Sequence, residues 1–200
     1  MTSGGSLHAM ALCAGAGMLE EGVGIAVRWL AENGYYAPGT ALRPVCYVER
    51  EITAASRLVA RMEEQASLDP APVWDDIGTF DGKPWRGRVH TLTAGYPCQP
   101  FSQAGRRRGA KDERHLWPDI ARIIGDVEPV EVVLENVAGH LSLGFPQVGR
   151  ELQAVHLCIN FYIFDFFSRT IGPILTRLGT NHPWGKGIEV CSNEGCSQER

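Results

Sequence analysis

The chain has 200 residues, 44% hydrophobic and 21% charged, a balance that excludes a disordered polypeptide and leaves room for one well-buried domain. No apolar run reaches the roughly 20 residues of a membrane span, and Met1 to Ser6 has neither the basic start nor the apolar core of a secretory signal, so a cytoplasmic protein without membrane contact is expected. The formal net charge of -4 does not mark a nucleic-acid binder, yet phosphate contact needs only a local positive patch. Arg106, Arg107, Arg108 and Lys111 lie together with no acid among them, a run that by itself reads more readily as a solvated loop than as such a patch.

In chain order, Leu7 to Leu12 is a short apolar run that ends in Ala14-Gly15-Ala16-Gly17, the pattern of a buried strand entering a glycine turn. Leu19, Val23, Val27 and Leu30 recur at helical spacing before Asn33-Gly34 stops the helix. Val45 to Glu49 reads as a second strand with an acid at its end, and Ile52, Ala55, Leu58, Val59 and Met62 mark one face of a second helix. A loop with Pro70, Pro72 and Asp75-Asp76 follows. Val89 to Ala94 predicts a third strand entering Gly95-Tyr96-Pro97-Cys98, Leu116 to Ile124 a helix, and Val130 to Leu134 a strand carrying Glu135-Asn136. Strands alternating with helices predict an α/β fold, a mostly parallel sheet with helices on both faces.

In such sheets ligands bind beyond the carboxyl ends of the strands. Gly15, Glu49, Cys98 and Glu135 all fall at predicted strand ends. Glycine lets the backbone approach a ligand closely, and an acid closing the second strand can accept both hydroxyls of a ribose; spacing alone equally allows an exposed acid paired with Arg50. Cys98, between prolines and upstream of the basic run, suits an activated thiol, although most free cysteines are small buried hydrophobes. Glu135 suits a proton donor if burial raises its pKa, or is a plain strand-end acid. The six cysteines, with no secretory signal, are expected to be reduced thiols. Cys191 and Cys196, with His182 nearby, do not complete the four ligands of a structural zinc, so no metal is expected.

Gly95-Tyr-Pro-Cys-Gln-Pro-Phe-Ser102 resembles the catalytic loop of the DNA cytosine-5 methyltransferases, and Leu134-Glu-Asn-Val137 resembles their second catalytic motif. The segment from Gly105 to Arg114 and the following Leu116 to Ile124 are similar to the family's mobile loop and next helix, and Leu12 to Glu20 to its first methyl-donor motif. The motifs come in the family's order over residues 7 to about 155. The resemblance implies a Rossmann-like fold dependent on S-adenosylmethionine, with Cys98 and Glu135 catalytic. It implies cofactor contacts from Cys13, Ala14, Gly15, Ala16, Gly17, Glu49, Asp76, Ile77, Pro97, Leu116 and Asn136. Double-stranded DNA is the implied substrate, contacted by Gln99, Ser102, Arg106, Arg107, Arg108 and Lys111 around a flipped cytosine. The implied chemistry is methyl transfer to C5 through a covalent cysteine adduct, in a restriction-modification or phage setting.

Three departures stand out. Ala11 replaces a frequent acid and Met18 a frequent glycine. Gly144 to Arg150 only superficially resembles the family's Gln-x-Arg-x-Arg motif and reads as a loop and helix start, and from about Val155 the sequence matches nothing in the family. The expectation is a cofactor and catalytic domain over 1–155, a divergent tail over 156–200 arising by truncation or frame shift, and a sheet incomplete at its C-terminal end. A separately encoded subunit would then carry target recognition. The rival expectations are a remnant that binds cofactor or DNA without turnover, an RNA cytosine-5 methyltransferase, and a generic nucleotide-binding protein with an inert cysteine.

Overall fold

The computed structural model describes residues 5–64, 68–96, 116–136 and 148, with the backbone of strands at 161–164, 175–178, 181–182 and 185–186. Strand β1 (Ser6–Leu12) leads through the glycine turn into helix α1 (Met18–Glu32), then β2 (Ala41–Val48) and α2 (Ile52–Glu63). A two-residue strand β3 (Val73–Trp74) follows, then a 3-10 turn at Lys83–Trp85, β4 (Thr91–Gly95), α3 (Trp117–Val127) and β5 (Glu131–Glu135). The five strands form one sheet in the order β3-β2-β1-β4-β5, every pairing parallel. The chain builds outward from β1 in one direction and then, beginning with β4, in the other. The crevice where the order reverses lies beyond the carboxyl ends of β1 and β4, the place where open parallel sheets take their ligands.

Side chains alternate across the pleat, and each face receives its own helices. Met10, Leu12, Cys46, Val48, Leu92, Ala94, Val132 and Leu134 join Ile120, Ile123, Ile124 and Val127 of α3 in one buried cluster. On the other face Ala9 and Val133 meet Val23 and Val27 of α1, and Ala11 and Tyr47 meet Leu58 and Met62 of α2. The small Ala9 and Ala11 leave room for helix backbones to settle on the central strand. Emptying this core is costly: Ile123→Ala, at a side chain with no exposed surface, is expected to lower unfolding stability by about 2–5 kcal/mol in urea titration.

The structure differs from the sequence reading in three instructive places. Strand β2 begins at Ala41 rather than Val45 and runs through Pro44. A register irregularity opposite Ala9 and Met10 absorbs the proline, and β3 reaches only Tyr47 and Val48, so the outer side of β2 meets no described strand at Pro44, where a missing N–H is tolerated. The loop expected around Pro72 contains β3, too short to show as an apolar run. The face expected of α2 is narrower than its pattern: Leu58 and Met62 are buried, whereas Ile52 and Val59 stand exposed. Farther along, β6 (Phe161–Phe164) pairs antiparallel with β7 (Leu175–Leu178), and β8 (Asn181–His182) with β9 (Gly185–Lys186). Among the described residues no helix is long and apolar enough to cross a membrane.

Candidate functional site

The turn after β1 is the most contorted backbone described. Cys13, Gly15 and Gly17 all have positive φ, at 52°, 56° and 78°. For a cysteine this costs about 1–2 kcal/mol, and strain of this kind collects where a loop has a function. Gly17 is held in a tight place: a Cβ there would lie 2.4 Å from Leu68 Cδ1. Gly15 is the opposite case, with nothing within 4 Å of where a Cβ would project. One glycine closes the turn against the core and the other leaves its backbone open to the crevice.

Glu49, immediately beyond β2, fastens this turn. Its Oε2 accepts the Gly15 N–H at 2.7 Å and its Oε1 accepts the Glu51 N–H at 2.7 Å, while Ala14 N–H donates to the Val48 carbonyl. Each carboxylate oxygen keeps further lone-pair capacity, so Glu49 can brace the turn and still accept ribose hydroxyls. Arg61 of α2 clamps the same turn from beneath, donating to the Ala16 carbonyl at 2.6 Å and pairing with Glu21. The residues expected to hold the cofactor at this end, Cys13, Ala14, Gly15, Ala16, Gly17 and Glu49, therefore form one connected unit.

The second lobe of the crevice is apolar. Ile77 is buried in the cluster beneath α3, and Cys13 and Leu116 are partly buried against it, which brings together three of the expected cofactor residues from far-apart segments. Burial, and secondarily the Glu49 charge, pushes the Cys13 thiol up to about 12, so it lines the crevice as a neutral thiol. Asp76 Oδ1 accepts the Gly78 N–H at 2.9 Å and shapes the loop that presents Ile77. Arg122 of α3 holds that loop in place, donating to the carbonyls of Phe80 at 2.8 Å and Ile77 at 2.9 Å.

At the chemical end, Glu135 closes β5 directly beside Gly95, its register partner at the end of β4. Its Oε2 would lie 3.6 Å from a Cβ on Gly95. Burial raises the pKa of Glu135 above the ordinary carboxyl range, so the group keeps its proton to higher pH than a solvated acid. Asn136 is buried and its Nδ2 donates to the Tyr96 carbonyl at 3.3 Å. Tyr96 packs at 6.0 Å on Trp117. Asn136, expected to touch cofactor, is thus also a tie between the ends of β4 and β5. Cys98 and Pro97 lie outside the described residues, as do Gln99, Ser102, Arg106, Arg107, Arg108, Lys111 and the Cys191–Cys196 tail pair.

Arg122 and Glu20 are among the groups to which the sequence assigned no role of their own, Glu20 being only the last residue of the Leu12 to Glu20 segment. Arg122 looked like a polar residue between helix-face isoleucines, and its carbonyl partners belong to a loop without periodicity. Glu20 is the stronger case. It is 2% exposed, Thr93 Oγ1 donates to its Oε1 at 2.7 Å, and its Oε2 has no hydrogen-bond partner among the described residues. The available signal was its register: Glu20, Val23, Val27 and Ala31 form the buried stripe of α1. Burial raises its pKa, outweighing the lowering by the Thr93 hydrogen bond, its own backbone N–H and Arg61. An acid with a raised folded-state pKa favours folding most below the unfolded-state pKa of about 4.3, and this contribution is lost as pH rises towards the folded value. Glu20→Gln is therefore expected to flatten the decline of the urea midpoint above pH 5; an unchanged decline would show that Glu20 ionises freely.

Helices on both faces of a parallel sheet, a glycine turn braced by a strand-end acid and an apolar lobe beside it define a Rossmann-like fold. The family model for C-5 cytosine-specific DNA methylases matches residues 49–150. The chain belongs to that family. It is 38% identical over 37% of its length to the Type II methyltransferase M.NgoMIV of Neisseria gonorrhoeae, 25% of which is covered. It is 35% identical over 48% of its length to M.Eco47II of Escherichia coli, 24% of which is covered. With M.HhaI of Haemophilus parahaemolyticus it shares 34% identity over 42% of its length, covering 25% of that protein. The matched segments thus span about a quarter of these curated relatives.

Proposed function

We propose that the chain is the cofactor-binding and catalytic part of a DNA (cytosine-5-)-methyltransferase of the restriction-modification type, using S-adenosylmethionine and a flipped cytosine. The observation that carries the reading is the meeting, at the carboxyl edge of one sheet, of the Glu49-braced turn and a half-buried Glu135 of raised pKa. Gly15 with open space above it and Glu49 with spare acceptor capacity fit an adenosyl ligand; the turn from Cys13 to Gly17, Glu49, Asp76, Ile77, Pro97, Leu116 and Asn136 would hold it. When bound, S-adenosylmethionine supplies an electrophilic methyl group.

The residues of the chain make the base able to take that group. The C5 position of cytosine is too weakly nucleophilic by itself. The Cys98 thiolate adds to C6, and Glu135 donates a hydrogen bond or proton to N3, where negative charge develops. The electron pair then available at C5 takes the methyl group. Loss of the C5 proton re-forms the double bond and expels the cysteine. The base must leave the helix stack to be reached, and Gln99, Ser102, Arg106, Arg107, Arg108 and Lys111 are assigned to the DNA around it.

Glu49→Ala tests the cofactor end. It removes an acceptor for two backbone N–H groups and for the ribose, and hydrogen bonds to charged groups are worth about 1.5–3 kcal/mol each. S-adenosylhomocysteine is expected to bind about 100-fold more weakly in calorimetry; affinity within about threefold of the parent would contradict the assignment. The rival reading carried over from the sequence is a domain that binds cofactor or DNA without turnover. Trapping on 5-fluorocytosine DNA separates the two, because only an attacking thiol forms the adduct.

A further inference from the structure

Trp74 combines two properties that rarely occur together, a fixed ring and a largely open surface. It closes β3 at the carboxyl edge of the sheet and is 45% exposed. Its indole Nε1 donates to the Asp76 carbonyl and to Thr79 Oγ1, both at 3.1 Å. The ring meets Phe80 edge-on at 5.9 Å and 79°, while its backbone carbonyl accepts the Glu49 N–H at 2.9 Å. The residue is thereby tied on one side to the acid assigned to the ribose and on the other to the Asp76-Ile77 loop. Trp29 is equally exposed but stacks on Tyr35 at the end of α1, away from any of these groups. Tying an indole's polar atom to a loop by hydrogen bonds while leaving its ring open is the arrangement of a stacking platform.

We propose that Trp74 is a binding residue of the crevice, the aromatic wall on which the purine ring of an adenosyl ligand packs. This rests on the reading that the crevice takes S-adenosylmethionine, and it assigns a residue beyond Glu49, Asp76 and Ile77. The flat purine gains apolar contact and ring–ring attraction from a wall that needs no ordering, because two hydrogen bonds and Phe80 already hold it. The preference concerns the base half of the ligand and not the amino-acid half.

The test is titration of the full chain with S-adenosylhomocysteine, read by calorimetry and by tryptophan fluorescence. Trp74→Phe keeps an aromatic face and is expected to bind within about threefold of the parent, while most of the ligand-induced fluorescence change disappears. Trp74→Leu keeps apolar bulk without a π face and is expected to weaken binding by about tenfold or more. Adenosine should show the same dependence on Trp74, and methionine none. Circular dichroism checks that each variant is folded. Unchanged affinity in a folded Trp74→Leu, or an undiminished fluorescence change in Trp74→Phe, would overturn the proposal alone. Absence of S-adenosylhomocysteine binding to the parent chain would overturn the cofactor reading and the proposal with it.

Discussion

Glu135→Ala is expected to lower methyl transfer by about 10²–10⁴-fold, the usual range for loss of a positioned general acid, while S-adenosylhomocysteine binding stays within about threefold of the parent. The side chain closes β5 next to Gly95, at the chemical end of the crevice and not in the turn held by Glu49. Its pKa is raised by burial alone, and this fixes the form of the pH profile. Activity that needs the protonated carboxyl falls as pH climbs through the raised value, whereas the thiolate of Cys98 demands the opposite. Glu135→Gln, which carries a permanent donor, should therefore lose the alkaline limb of the profile while retaining part of the rate. An alkaline limb that survives in Glu135→Gln would assign it to another group.

Cys98→Ala should have the largest effect of all. If Cys98 is the nucleophile as proposed, its removal takes away the covalent route and not merely one stabilising contact, so a loss of about 10⁴-fold or more in methyl transfer is expected, with no adduct on 5-fluorocytosine DNA. Cofactor affinity should again stay near that of the parent, because Cys98 itself is not among the residues assigned to the cofactor. A Cys98→Ala chain that still formed an adduct would move the nucleophile to another thiol. Cys13, at the turn after β1, is one described alternative, and burial pushes its thiol up to about 12.

The sequence showed the parallel sheet clearly because its strands are short, apolar and bounded by glycine or acid, with Gly15 and Glu49 just beyond β1 and β2 and Glu135 closing β5. It was silent where structure comes from pairing and not from periodicity. Two-residue β3 is defined by the backbone of Tyr47 and Val48, so no pattern of its own could reveal it, and Trp74 was passed over with it. The residues of β2 before Val45 were not read as strand, because the irregularity that accommodates Pro44 depends on pairing with β1. Glu20 stayed hidden because a charged residue in an apolar stripe looks like an interruption, until Thr93, far along the chain, supplies its hydrogen bond. The residues assigned to the cofactor were singled out as strand-end chemistry. The groups that position them, Arg61 and Arg122, act on backbone carbonyls, and a carbonyl leaves no mark on sequence.

The central claim is that one crevice joins a methyl-donor site to an attacking thiol. The most direct measurement uses the full chain, S-adenosylmethionine and a duplex with 5-fluorocytosine opposite an abasic site, which spares the protein the work of unpairing the base. A denaturant-resistant protein–DNA adduct that requires S-adenosylmethionine, and is absent in Cys98→Ala, is the predicted result. No adduct from a chain that binds S-adenosylhomocysteine would contradict the claim and leave a cofactor-binding domain without the nucleophilic step.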